Sequence, residues 1–317
     1  MNLPTMAFLF PGQGSQIVGM GKELAALYPV ARHTFQEADE ALDFSISKLC
    51  FDGPEDELKM TEITQPAMLT ASVAAFRVLQ EKGVTPHYVA GHSLGEYSAH
   101  VAAGTIEFTE AVRAVNKRGR YMQEAVPAGE GAMAAILAMS LEDLQKVCAD
   151  AAQGEVVSPA NINSPDQIVI SGSKAAVERT AALAKERGAK KAIMLPVSAP
   201  FHCALMQPAQ DRLAQDLQQV EFSAPEIPVI SNIDAQPKSG AEASRNALIS
   251  QVTGAVQWLA CVCKLIELGA NTFVEVGVGK VLTGLMRQID RSQTAMNVED
   301  EASLQKVTGL FAAAAKD

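Results

Sequence analysis

No apolar run in the 317-residue chain approaches the ~20 residues needed to cross a bilayer, so no membrane-spanning helix is expected. The short run from Met6 to Phe10 has no basic leader and stops at Pro11-Gly12, which marks a first strand and not a secretory signal. Five cysteines, at positions 50, 148, 203, 261 and 263, show neither paired C-x-x-C spacing nor a disulfide-dense pattern. Cys261 and Cys263 stand two apart and would not share a helix face, so a metal site is not expected. This usage suits a reducing compartment, and a cytoplasmic location is the expectation. Positive charge is also scarce: 26 Lys and Arg against 36 Asp and Glu leave a net charge of −10. That balance argues against nucleic acid as the main partner and leaves small molecules and proteins.

There is no low-complexity tract or internal repeat, and 48% hydrophobic against 20% charged residues is ordinary for a folded chain. The length allows one large domain or two smaller ones. The loop Pro11-Gly12-Gln13-Gly14-Ser15-Gln16 could bring backbone amides close to a ligand, but no G-x-G-x-x-G or G-K-[ST] occurs, so a nucleotide site is not expected. What the chain does contain is Gly91-His92-Ser93-Leu94-Gly95, a G-x-S-x-G pentapeptide. Before it, residues 87–90 read as a buried strand, and after it, residues 93–103 read as a helix. A strand-to-helix elbow of this kind exposes its serine above a sheet and aims the next amide at an oxyanion. The plainer alternative is a serine that only caps a helix.

Around this stretch, helical spacing runs from Gly21 to Leu42, broken at Pro29, and the polar segment 52–64 reads as loop. Gln65-Pro66 then opens a long helix ending at Gly83. Another helix, 108–126, carries Arg113, Lys117, Arg118 and Arg120, and the pattern alone singles out none of them. After a boundary at residues 127–131 the order is strand 132–138, helix 141–152, strand 156–161, strand 167–171, helix 174–187, strand 191–197. This βαββαβ order is ferredoxin-like and predicts a small inserted domain over 128–198, with residues 1–127 and 199–317 forming a large α/β domain. In the large domain, helices near 205–220, up to 251, 258–268 and up to 289 alternate with strands at 227–232 and 272–276. A mostly parallel sheet covered on both faces follows from that alternation.

A serine nucleophile needs a base, and only five histidines are available. His92 adjoins Ser93, but successive side chains on a sharp elbow diverge. His100 lies two helical turns on and suits the core, while His33 falls in a helix and His87 at the start of a strand. His202 sits where the small domain rejoins the large one, a common place for a ligand cleft, and is the favoured base. No acidic partner stands out downstream, which allows a Ser-His dyad oriented by an amide or a backbone carbonyl.

Several spaced motifs, in order, resemble the malonyl-CoA:acyl carrier protein transacylases of bacterial fatty-acid synthesis. They are residues 10–16 (FPGQGSQ), 64–67 (TQPA), 91–97 (GHSLGEY), 161–165 (NINSP), 199–202 (APFH) and 275–277 (EVG). The resemblance implies an α/β-hydrolase-like large domain with the ferredoxin-like insertion. It implies Ser93 as the residue that carries the malonyl ester, His202 as base and then acid, and the amides of Gln13 and Leu94 as the oxyanion hole. It assigns Arg118 to the free carboxylate of the malonyl group and places Gln65, Asn163 and Gln251 around the site, with Gln251 helping to orient His202. No bound cofactor is implied; the substrates would be malonyl-CoA and holo acyl carrier protein, the latter a transient partner of a monomer. Because carrier proteins are acidic, docking would need a basic patch, for which Lys185, Arg187, Lys190, Lys191 and Arg287 are candidates against an ordinary solvated surface. Val278 stands where the family often has proline, which bears only on the stiffness of that turn. A serine hydrolase and a non-catalytic module of the same fold are the competing readings, and polyketide or malonate-degrading systems could use the same chemistry.

Overall fold

Strand β1 (Met6–Phe10) is apolar at every position because both faces of its sheet are covered. Side chains alternate along a strand, so Met6, Phe8 and Phe10 enter one core while Ala7 and Leu9 enter a second on the opposite face. The computed structural model describes residues 5–314. In it β1 runs parallel to β2 (Tyr88–Gly91) on one side and to β9 (Thr272–Val276) on the other. With β10 (Thr294–Val298), β7 (Val229–Ile230) and the antiparallel β8 (Pro237–Lys238), the order is β10-β9-β1-β2-β7-β8.

The first core is closed by α1 (Lys22–Leu27), α2 (Pro29–Leu42), α3 (Ile46–Asp52), α5 (Thr61–Glu81), α6 (Gly95–Ala102), α7 (Phe108–Glu124) and α10 (Gln207–Leu217). Helices α12 (Trp258–Glu267) and α13 (Val281–Ile289) close the second. The remaining helices of this part are α4 (Glu55–Leu58), α11 (Ala241–Ser250) and α14 (Glu301–Ala314).

Residues between these parts form a separate antiparallel sheet from β3 (Gly131–Leu137), β4 (Val157–Ser164), β5 (Gln167–Ser173) and β6 (Lys191–Met194), in the order β4-β5-β3-β6. Its helices, α8 (Leu141–Ala152) and α9 (Lys174–Glu186), pack on one face through Leu144, Val147, Val177 and Ala184. The expected ferredoxin-like order and the mostly parallel main sheet are both present. The two parts meet at β4, where Ile162 N donates to Val256 O and Val256 N to Ala160 O, Val256 lying in the connection between α11 and α12.

Three differences from the expected elements have physical causes. The segment 52–64 holds α4 and the first turn of α5, so the long helix starts at Thr61 and carries Pro66 inside it. Proline has no N–H to give to the carbonyl four residues back, that of Glu62; Asn116 Nδ2 of α7 donates to that oxygen instead, at 2.9 Å. The helix after the elbow starts at Gly95 and not Ser93, because Ser93 has φ 53° and cannot join a right-handed turn. Strand β7 is only two residues long, and β10 and α14 complete a C-terminal end that the sequence pattern did not separate.

Candidate active site

Ser93 sits between β2 and α6 in the left-handed region, a conformation that persists only where its surroundings enforce it. The flanking glycines do so by close approach: a Cβ on Gly91 would lie 1.9 Å from the Gly95 carbonyl carbon, and one on Gly95 would lie 2.0 Å from Phe10 O. Asn232, just past β7, fixes the turn from below. Its Oδ1 accepts from Ser93 N at 2.7 Å and its Nδ2 donates to Gly91 O at 2.7 Å.

His202 also has positive φ, 60°, and its Nε2 lies 2.6 Å from Ser93 Oγ. Its Nδ1 faces the backbone oxygen of Gln251 at 2.9 Å, an acceptor only, so Nδ1 carries the hydrogen and Nε2 is left to accept the serine proton. Burial, reinforced by the positive charge of Arg118, pushes the imidazole down to about 3, and it is neutral at physiological pH.

Arg118, 1% exposed, is among the largest fully buried side chains. Gly119 makes room for it, since a Cβ there would lie 2.6 Å from Thr61 O and would hold α7 away from α5. Nη1 donates to Gln65 Oε1 at 2.7 Å, and Nη2 donates to Gln251 Oε1 at 3.0 Å and to Ser93 Oγ at 3.2 Å. All three acceptors are neutral, and among the described residues Arg118 forms no ion pair. A buried guanidinium without a carboxylate partner is costly, and burial lowers its pKa accordingly.

Ser93, His202, Gln65 and Arg118 line one cleft of about 660 Å³ together with Gln13, Leu94, Met122 and, from the second sheet and its exit, Met133, Asn161 and residues 195–198. Gln13 and Leu94 line the same cleft as the serine, and neither backbone amide donates to another group among the described residues. Gln251 lies behind Ser93 and does not form the wall. Asn163 is likewise set back: its Oδ1 meets His92 Nε2 at 2.8 Å, which ties β4 to the elbow, and His92 itself borders the cleft. Asn161, its neighbour but one on β4, is the one that reaches the cleft.

Two participants were missed from sequence. Asn232 lies in a segment with no motif. Glu96 stands inside the GHSLGEY motif, where the sequence alone assigns it no role; it is fully buried, and burial pushes its carboxyl up to about 7. No cluster of three or more His, Cys, Asp or Glu able to hold a metal occurs among the described residues. No helix among them is long and apolar enough to cross a membrane.

Residues 7–314 match the acyl transferase domain family. The malonyl CoA-acyl carrier protein transacylase of Escherichia coli K12 is 50% identical over 299 residues, which cover 94% of this chain and 97% of that relative. The corresponding Bacillus subtilis 168 protein is 48% identical over 301 residues, 95% of each chain. Among solved structures, an acyl carrier protein S-malonyltransferase from Vibrio cholerae superposes with a TM-score of 0.94 at 52% identity, covering 96% of this chain and 99% of that one. A malonyl-transacylase in complex with a type II polyketide acyl carrier protein superposes with the same score at 49% identity, covering 97% and 99%. With an elbow serine, a partnered histidine and an unpaired arginine in one cleft, and a family match spanning nearly every residue, this chain belongs to the acyl transferase domain family.

Proposed function

We propose that the protein transfers the malonyl group of malonyl-CoA to the phosphopantetheine thiol of acyl carrier protein, through an ester on Ser93, and so supplies extension units for fatty-acid synthesis. The observation that carries this reading is Arg118, a buried cation without an anion, 3.2 Å from the nucleophilic oxygen. Such a site favours an acyl group that brings its own carboxylate, and a guanidinium fork can hold it by two parallel hydrogen bonds.

His202 Nε2 takes the Ser93 proton as Oγ bonds to the thioester carbonyl carbon. The oxyanion then faces the amides of Gln13 and Leu94. Collapse breaks the C–S bond, His202 returns its proton to the departing coenzyme A sulfur, and the malonyl ester remains on Ser93. The carrier thiol next gives its proton to His202, attacks the ester and leaves with the malonyl group as Ser93 Oγ is reprotonated. Pairing of the malonyl carboxylate with Arg118 also neutralises one of the charges that hold His202 down, so the bound substrate makes its own base stronger.

Residues 128–198 act in this reading as an inserted domain that forms one wall of the cleft, and residues 1–127 and 199–317 as the catalytic domain. For carrier docking, Lys185, Lys190, Lys191 and Arg287 are exposed, whereas Arg187 already pairs with Asp150 at 2.5 Å and contributes less. The test is intact-mass measurement after mixing with malonyl-CoA. The proposal expects a stable malonyl adduct, absent in Ser93→Ala and discharged by holo acyl carrier protein. Free malonate without an adduct would indicate a hydrolase, and no reaction with any acyl-CoA a non-catalytic module.

A further inference from the structure

Glu96 contributes the one acidic side chain in the hydrogen-bond network behind the nucleophile, and it reaches the catalytic groups only through Gln251. Its Oε2 accepts from Gln251 Nε2 at 2.6 Å and from Asn232 N at 3.1 Å, while its Oε1, fully buried, has no hydrogen-bond partner. Gln251 Nε2 also donates to Ser93 O at 2.9 Å, and Gln251 Oε1 accepts from Arg118 Nη2. The direction of this amide is therefore dictated from both ends. Turning it over would set its NH₂ against a guanidinium and its oxygen against a carboxylate and a carbonyl.

We propose that Glu96 is a positioning residue: its ionised carboxylate fixes the Gln251 amide and serves, through that amide, as the counter-charge of resting Arg118. The inference rests on the transacylase reading and extends it. An amide-bridged pair suits a residue that must later receive a substrate carboxylate. A direct Arg118–Glu96 salt bridge would occupy the fork, whereas the relay balances the cation and leaves its open side to the acyl group. The other neutral partners of Arg118, Gln65 and Ser93, cannot supply that negative charge.

Protonation of Glu96 weakens its hold on Gln251 Nε2 and removes the counter-charge together. The carboxyl titrates near 7, so this transition falls in an accessible range. In the resting protein His202 lies well below that range, pushed down to about 3. The charged and titratable groups acting around Glu96 are Arg118 on α7, Lys238 on β8, the neighbouring Tyr97 and Cys261 on α12. The hydroxyl of Tyr97 and the thiol of Cys261 are both pushed up by burial and stay neutral through the range. No charged group of β1, β2, α5 or α11, which also pack on α6, is among those acting on it.

The test is the rate of Ser93 acylation by malonyl-CoA between pH 5.5 and 8.5, read by rapid-quench intact mass. Wild type should gain activity with rising pH on a single limb near 7. Glu96→Gln keeps an acceptor toward Gln251 but no charge, and should be flat with pH and about tenfold slower at pH 8, the scale of a slightly misplaced catalytic group. Its loss should fall on kcat, with KM for malonyl-CoA unchanged or lower, because an uncompensated Arg118 holds the substrate carboxylate at least as well. Lys238→Met is remote from the cleft and removes a positive charge that keeps the carboxyl ionised, so it should move the limb to higher pH without altering the plateau. Absence of the limb in wild type, its survival in Glu96→Gln, or an unmoved limb in Lys238→Met would each overturn the inference. If the transacylase reading itself fails, no adduct forms at any pH; if only this inference fails, the adduct forms in full with an unchanged profile.

Discussion

Replacing Arg118 by alanine should convert a malonyl-selective enzyme into an indifferent one, and the size of the change can be worked from its contacts. In the resting protein the guanidinium bonds only to the neutral oxygens of Gln65, Gln251 and Ser93. Truncation there removes three charge-assisted hydrogen bonds but also relieves a buried, unpaired cation, so the two effects partly cancel. With a malonyl group bound, the lost interaction is a charge pair. At a separation of about 4 Å and an effective dielectric of about 20 its Coulomb energy is about 4 kcal/mol. That falls within the about 2–5 kcal/mol that truncating one partner of a buried pair costs. The malonyl-to-acetyl ratio of kcat/KM for Ser93 acylation should therefore drop by about 30- to 5,000-fold, nearly all of it from slower malonyl transfer. Arg118→Lys keeps the charge without the planar fork and should fall between the two. The assay is single-turnover acylation with malonyl-CoA and acetyl-CoA side by side. An unchanged ratio in Arg118→Ala would refute the assignment of this residue to the acyl carboxylate.

Four further outcomes follow from other parts of the structure. Asn116→Ala leaves the Glu62 carbonyl, freed by Pro66, without its donor and should cost about 1–3 kcal/mol in urea unfolding, whereas an equally large loss in activity with no change in stability would point to a different role. Gly95→Ala forces a Cβ to 2.0 Å from Phe10 O and should cost at least about 1–3 kcal/mol, together with loss of the elbow; a fully active, stable variant would show that the turn is not held by that contact. His100 is buried without a partner and pushed down to about 3, so between that value and about 6.5 the unfolded chain binds a proton that the folded one does not, and stability falls as pH falls. His100→Leu should flatten that dependence by about 1.4 kcal/mol per pH unit, measured as urea midpoints at pH 5 and 6; a parallel shift of the curve would contradict it. Reversing Lys190 and Lys191 to Glu should slow discharge to the carrier protein and spare acylation by malonyl-CoA, and equal loss in both half-reactions would remove these lysines from the docking surface.

The legible part of the fold was local. Apolar β1, the glycine pair around Ser93 and the βαββαβ order each follow from patterns within a few residues, and the elements stand within a few residues of where those patterns place them. His202 could be favoured because a domain boundary is itself visible in the chain. Pro66 misled because a proline signals a helix start only when nothing else can serve the carbonyl it orphans, and its substitute donor is 50 residues away on α7. Pattern does not single out Arg118 from Arg113, Lys117 and Arg120: Arg113 pairs locally with Glu110, three residues back on the same helix, while the partner of Lys117, Asp216, is brought close only by packing. Burial without an ion-pair partner is the physical mark that sets Arg118 apart among the described residues. Asn232 and the Glu96–Gln251 relay were invisible for the same reason: each depends on contacts across more than a hundred residues of chain.

The backbone oxygen of Gln251 that holds His202 has an evolutionary consequence. In a serine–histidine–aspartate arrangement the third partner is a side chain and one codon change deletes it. Here it belongs to the main chain at the end of α11, so no substitution at position 251 removes the acceptor; only a displacement of the helix end can. Alanine scanning of position 251 would report the Gln251 amide alone and leave the imidazole's anchor untouched. That backbone acceptor is protected from point mutation, and drift at position 251 acts only on the arginine and glutamate side of the network.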